Sequence, residues 1–206
     1  MYKCNKCRKY GLSYNREYSP EKFIEGKTSS KIWIVGLNPK NNKDYKDSRK
    51  NHELHNYFNS REKIHSYFKG FKKVSEKIYK MLGKENGVCH TDLIKCFSNK
   101  FPPEDVKTKG KQEIINNCSV YFEKQLSTFF PQLIICNGAP VSRYITNIII
   151  PVQNYETYYE GNYKDKEITV VLSGFIGRID NFAKRRLGKE IEHLKDEIKK
   201  TDNEID

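Results

Sequence analysis

The run Lys31-Ile32-Trp33-Ile34-Val35-Gly36-Leu37-Asn38-Pro39 decides how this chain is read. Ile32 to Val35 are apolar without alternation, the pattern of a strand buried on both faces. Gly36 ends the run, and Pro39 pushes Asn38 away from helical geometry. The result is a buried strand whose carboxyl end opens into a short loop. Glycine there lets a ligand approach the backbone closely. The Asn38 amide can orient a water or bond a planar ligand edge. An ordinary Asn-Pro turn is the alternative.

Working outward, strand and helix patterns alternate. Ser60 can cap a helix from Arg61 to about Leu82, with Ile64, Phe68, Phe71, Val74, Ile78 and Leu82 recurring at intervals of three and four. A second strand covers Val88 to Lys95, and a helix runs from about Lys111 until Pro131 stops it after Phe130. Gln132 to Cys136 is a third strand, and Asn137-Gly138 turns into a short helix beginning near Pro140. Glu167 to Leu172 is a fourth strand, and Asn181 to Lys200 a last helix. Four strands separated by helices predict an α/β fold, a three-layer α/β/α sandwich on a central, mainly parallel four-stranded sheet. Ligands in such folds gather at the carboxyl ends of the strands. Residues 1–200 read as a single domain, with 201–206 a frayed acidic tail.

The chain has 206 residues, 38 Lys and Arg against 26 Asp and Glu, and a net charge of +12. That surplus favours a polyanion, with nucleic acid the first candidate, over a merely solubilising surface. No stretch approaches the roughly 18 to 20 apolar residues of a membrane span, and the N-terminus lacks the apolar core of a signal peptide. A cytoplasmic monomer with reduced thiols is the expectation. Cys4 and Cys7 form a C-x-x-C, Cys96 ends a strand-like run, and Cys118 sits in a helical pattern. The pair can place two thiolates on one ion, and the two remote thiols can complete a four-sulfur metal centre, iron–sulfur or zinc. Cys89 and Cys136 lie in buried strands as small hydrophobes. His52, His55 and His65 are scattered and show no metal spacing.

Several segments together resemble the uracil-DNA glycosylase superfamily, particularly its iron–sulfur (family-4-like) branch, over roughly residues 4 to 190. Gly36-Leu37-Asn38-Pro39 is similar to the family's Gly-x-x-Pro loop. Thr91-Asp92-Leu93-Ile94-Lys95-Cys96 is similar to its T-[ND]-x-x-K-C strand, and Pro131 to Ala139 to its P-x-x-I-x-x-x-G-x-A strand and turn. The resemblance implies a structural [4Fe–4S] cluster on Cys4, Cys7, Cys96 and Cys118, with zinc the alternative. It also implies DNA, single- or double-stranded, as partner, and hydrolysis of the N-glycosidic bond of a damaged or modified base. Asn38 would position the water, and the backbone around Gly36 and Leu37 would line the base pocket. Asp92, Ser173 and Gly174 would contribute to that pocket, and Tyr45, Tyr57 or Phe58 would supply a stacking ring.

Two departures stand out. Uracil-reading members commonly carry Asn where this chain has Asp92, and an ionised carboxylate only accepts hydrogen bonds. Asp92 therefore suits a base presenting an amino group, or else orients a neighbour such as His90 or Lys95. The family's last motif, a His-Pro-Ser or variant, is replaced by Leu172-Ser173-Gly174-Phe175-Ile176-Gly177, with no histidine nearer than His193. Either Arg178 compensates, or the protein binds nucleic acid without cutting. Phe175 and Ile176 read as an apolar wedge for a base stack, or as a buried pair below a solvated face. Arg178, Lys184, Arg185 and Arg186 follow as candidate phosphate contacts.

Overall fold

The computed structural model describes residues 1–40, 51–60, 62, 64–103 and 106–204, without the side chains of 51, 52 and 199–204. The chain opens on a two-stranded antiparallel hairpin, β1 (Tyr2–Cys4) with β2 (Tyr14–Arg16). The central sheet follows, from β3 (Ile32–Gly36), β4 (Val88–Asp92), β5 (Leu133–Asn137), β6 (Ile150–Asn154), β7 (Tyr158–Tyr163) and β8 (Lys166–Ser173). Its spatial order is β4-β3-β5-β8-β7-β6. The first four strands in that order are parallel, and β7 and β6 extend them antiparallel. The fold is mixed α/β with a six-stranded, mostly parallel sheet, two strands more than the sequence suggests.

Those two extra strands have physical reasons for being hard to read. β6 is largely exposed and β7 alternates, so neither shows a buried apolar run. The turn joining β7 to β8 is Lys164-Asp165, both at positive φ (48° and 62°), the geometry of a tight hairpin turn without its usual glycine. The second parallel strand also ends earlier, at Asp92 rather than Lys95. Leu93 N–H and Ile94 N–H turn to the carbonyls of Gly36 and Leu37, carrying Cys96 past the sheet.

The helix expected over residues 61–82 is broken. After α1 (Asn51–His55) come α2 (Ser66–Gly70), a 3-10 turn at Phe71–Lys73, and α3 (Glu76–Met81). The His65 ring caps α2 by accepting from Tyr67 N–H, and extended Ser75 caps α3 by accepting from Ile78 N–H. Two caps inside one amphipathic pattern make two helices. The other helices are α4 (Thr108–Phe129), α5 (Ala139–Ile148) and α6 (Asn181–Glu204). Asp180 caps α6, which runs to Glu204. No helix among the described residues is long and apolar enough to cross a membrane.

Side-chain alternation splits the core into two layers. Trp33, Val35, Cys89, Ile134 and Cys136 pack with Ile114, Phe122 and Val141 of α4 and α5. Ile32, Ile34, Val88, Leu133 and Ile135 face Phe68, Ile78, Leu187 and Ile191 of α2, α3 and α6. Gly188 is the closest approach in that second layer, since a Cβ there would collide with the Val74 carbonyl. Gly188→Ala should therefore lower unfolding stability by about 1–3 kcal/mol, although alanine is the better helix former by about 1 kcal/mol. Urea unfolding followed by circular dichroism checks this, and an unchanged or raised midpoint would contradict the packing of α6 on Val74.

Candidate functional site

The register aligns the carboxyl ends of the parallel strands, pairing Gly36 with Asp92 and Asn137 with Ser173. A cavity of ≈ 410 Å³ opens there. Gly36, Leu37, Asn38 and Pro39 form one wall, and His90, Asp92 and Glu25 another. Tyr57, His65, Tyr67 and Phe68 supply an aromatic side, and Asn137, Phe175 and Arg178 complete the lining with them. Lys40 and Lys111 also line it. That size falls within the range of small-ligand sites.

The Asn38 amide is held rather than loose. Its Nδ2 donates to the Pro39 carbonyl at 3.0 Å and the Ser98 carbonyl at 2.8 Å, so Oδ1 is left as the acceptor. Asn137 is a brace: Nδ2 donates to the Tyr67 hydroxyl at 2.5 Å, and Oδ1 accepts from Ile176 N–H at 2.9 Å. It joins β5 to α2 and to the segment after β8. Burial, reinforced by Asp92, holds the Tyr67 hydroxyl well above the usual tyrosine range and keeps it neutral.

Three ionisable side chains meet on the β4 side. Glu25 forms a backbone bridge with His90, and His90 Nδ1–H donates to Glu25 Oε2 at 2.7 Å. Asp92 Oδ1 stands 3.9 Å from His90 Nε2. Burial pulls the His90 pKa down, but the Asp92 and Glu25 carboxylates outweigh it and the net direction is up. Burial moves His65 the other way.

The structure brings Gly36, Leu37, Asn38, Asp92 and Tyr57 together around the cavity, with Phe175 and Arg178. Tyr45 lies outside the described residues. Phe58 is buried against Tyr57 and Phe68, both at 5.0 Å, and so belongs to the packing behind the wall. Ser173 turns its hydroxyl back to the Gly174 carbonyl, and neither residue lines the cavity. The expected Phe-Ile tip is corrected by burial. Ile176 is 3 % exposed in the core, and only Phe175, at 40 %, faces outward, its ring parallel to Tyr67 at 6.2 Å. Arg185 lies over the exposed Phe182 ring at 4.9 Å, and Arg186 faces Asp180. Lys184 shares a neighbouring depression with Lys69 and Lys73.

Glu25, His65, Tyr67 and Phe68 carry no site signal in the sequence, whereas Asn137-Gly138 stands at the carboxyl end of a strand, where ligands gather. For His90 a signal existed: it stands two residues before Asp92 on a strand, which puts both side chains on one face. Glu25 precedes the first central strand, in a segment without a pattern of its own.

Among the described residues, no group of three or more His, Cys, Asp or Glu side chains has the geometry to hold a metal ion. The thiols are nonetheless neighbours. Cys7 and Cys118 perturb each other's ionisation, as do Cys118 and Cys96, and Cys4 acts on Tyr121, one turn along α4 from Cys118. Asn117 Nδ2 donates to Cys7 Sγ at 3.7 Å. The neighbouring Cys118 thiol, then burial, push the Cys7 thiol far up. The neighbouring Cys7 lowers the Cys118 thiol, but Cys96 and burial outweigh it and push the thiol up to about 11.

A model of the uracil DNA glycosylase superfamily matches residues 23–198. No curated protein matches the chain.

Ring-resonance NMR titration should find His90 above the ordinary histidine value of 6.5 and His65 below it. A raised pKa means that stability contributed by His90 is complete below the unfolded value and is lost as pH rises through the folded one. His90→Gln should remove that decline from the stability–pH curve. A His90 titrating below 6.5 would contradict the carboxylate pairing.

Proposed function

The chain belongs to the uracil DNA glycosylase superfamily, and from that premise we propose that it hydrolyses the N-glycosidic bond of uracil or another deaminated base in DNA. The observation that carries this reading is the cavity at the strand ends with Asn38 held in its wall. A base must be drawn out of the stack to be cut, and it then needs a surface to lie against and a water aimed at the sugar. Tyr67 and Phe68 supply aromatic wall for the ring. The Asn38 Oδ1 orients the water, since the amide nitrogen is tied to backbone carbonyls. Lys40, Lys111 and Arg178 bring positive charge to the same cavity, and the +12 surplus attracts the phosphate backbone. Phe175 is the exposed ring positioned to enter the gap left in the stack.

A second reading, a nucleic-acid-binding module without excision, is favoured by one observation: the segment Ser173 to Gly177 carries no histidine to support the departing base.

The same proposal includes a four-thiolate centre on Cys4, Cys7, Cys96 and Cys118, with a [4Fe–4S] cluster preferred to zinc. An all-sulfur donor set fits either group, and Cys7, Cys118 and Cys96 lie near enough to perturb one another's ionisation, with Cys4 acting on Tyr121. The bound group would supply no chemistry to the reaction. It would tie the β1–β2 arm to α4 and to the segment after β4. An absorption band near about 400 nm is expected of the cluster, lost together with thermal stability in Cys96→Ser. Stoichiometric zinc without the band would reverse the assignment.

Oligonucleotides carrying uracil, hypoxanthine, xanthine or hydroxymethyluracil, single-stranded and duplex, should yield abasic sites on incubation with the protein. Asn38→Ala should slow single-turnover excision about 100-fold or more while leaving DNA affinity unchanged. Salt-dependent binding with no abasic sites from any substrate would establish the second reading instead.

A further inference from the structure

His90 and Asp92 are 4 % and 3 % exposed, and both point from β4 to the cavity face. Glu25 grips His90 with two backbone hydrogen bonds, 2.8 and 2.9 Å, and with its carboxylate on Nδ1–H. That last bond places a proton on Nδ1 and leaves Nε2 facing away from Glu25. Nε2 has no hydrogen-bond partner, one of two such buried side-chain atoms among the described residues. Asp92 Oδ1, at 3.9 Å, is beyond hydrogen-bond reach of it. The space in front of the pair exists because Gly36 has no side chain. A Cβ there would stand 3.0 Å from His90 Nε2 and collide with Asp92 Oδ1.

We propose that His90 and Asp92 together read the lactam edge of the everted base, Nε2–H donating to the ring carbonyl oxygen and Asp92 accepting from the adjacent ring N–H. This deepens the excision reading above and rests on it. A single Asn amide offers a donor beside an acceptor; here the two functions are divided between two side chains. The division changes the chemistry, because protonated His90 brings a positive charge to the oxygen. As the glycosidic bond breaks, its electron pair moves onto the base, and the carbonyl oxygen facing Nε2–H takes up the negative charge. The His90 donor thus serves in the place of the histidine absent from Ser173 to Gly177. Uracil and hypoxanthine both present the required edge. Cytosine and adenine have an amino group where the oxygen should be, which holds the developing charge less well.

Glu25 is a positioning residue: it orients the ring and favours its protonated form. The charged and titratable groups around His90 are Glu25 from the segment before β3, Asp92 and Lys95 from β4 and the turn after it, and His65 and Tyr67 from α2 and its cap. Glu25 and Asp92 favour the proton, and Lys95 and His65 oppose it. Excision therefore falls as pH rises through the His90 pKa.

Single-turnover excision of uracil and hypoxanthine by the full chain, from about pH 5.5 to 9, tests this. Binding to duplexes carrying 2′-fluoro-2′-deoxyuridine, its N3-methyl derivative or 2′-fluoro-2′-deoxycytidine, which resist cleavage, gives an independent readout on the unmutated protein. His90→Gln should lose about 100-fold or more in rate. Glu25→Gln should keep most of the rate at low pH but shift the alkaline limb to lower pH. The N3-methyl and cytidine duplexes should bind about tenfold more weakly than the uridine one. Wild-type excision with an unaffected His90→Gln rate and an unmoved Glu25→Gln limb would overturn the pair's role and leave the excision reading standing. Absence of excision by the wild type would remove that reading, and equal affinity for the three duplexes would then overturn the pair as well.

Discussion

Burying Glu25, His90 and Asp92 together at the end of an edge strand is the constraint on which the rest of this site depends. An ionised side chain removed from water costs several kcal/mol unless paired and hydrogen-bonded. Here the cost is offset by the Glu25–His90 bridge, which uses both backbone groups and a 2.7 Å side-chain bond. The arrangement leaves little freedom around it. Gly36 must lack a side chain, Phe68 packs edge-on against the His90 ring at 4.9 Å, and Tyr67 is kept neutral beside it.

The turn after the same strand carries a further buried ionisable group. Lys95 donates to the Thr91 hydroxyl, the Asp92 carbonyl and Gln125 Oε1, and burial draws its pKa down to about 7. Gln125 and Cys118 both belong to α4, so one five-residue strand and its following turn connect the cavity to the thiols. Asn137 performs the matching task across the sheet, binding the segment that carries Phe175 and Arg178 to the aromatic wall.

The parallel part of the fold was legible because buried strands announce themselves: Ile32 to Val35 and Leu133 to Cys136 are uninterrupted apolar runs, while β4 shows apolar residues only at Val88 and Cys89 before the polar His90, Thr91 and Asp92. The β6–β7 pair was not, because an edge hairpin needs no apolar run and Lys164-Asp165 supplies its turn without glycine. Helical periodicity over residues 61–82 was real but concealed two caps, His65 and Ser75, which become visible only when their bonds to Tyr67 and Ile78 form. In the site, the Gly36-to-Pro39 loop was readable from chain-local chemistry. Glu25 was not, since its partner is 65 positions away and only the folded edge strand unites them. The segment after β8 carries no histidine, and in the sequence alone His90 shows itself only as a neighbour of Asp92.

The central claim is that the cavity receives a base turned out of DNA and holds it by His90 and Asp92. A crystal structure of the protein with a duplex containing 2′-fluoro-2′-deoxyuridine tests it most directly. The account predicts the uracil ring inside the cavity against Tyr67 and Phe68, its O4 in hydrogen-bond contact with His90 Nε2 and its N3 with Asp92, and Asn38 Oδ1 facing the anomeric carbon. A uracil still stacked in the helix, with the cavity holding only solvent, would contradict it.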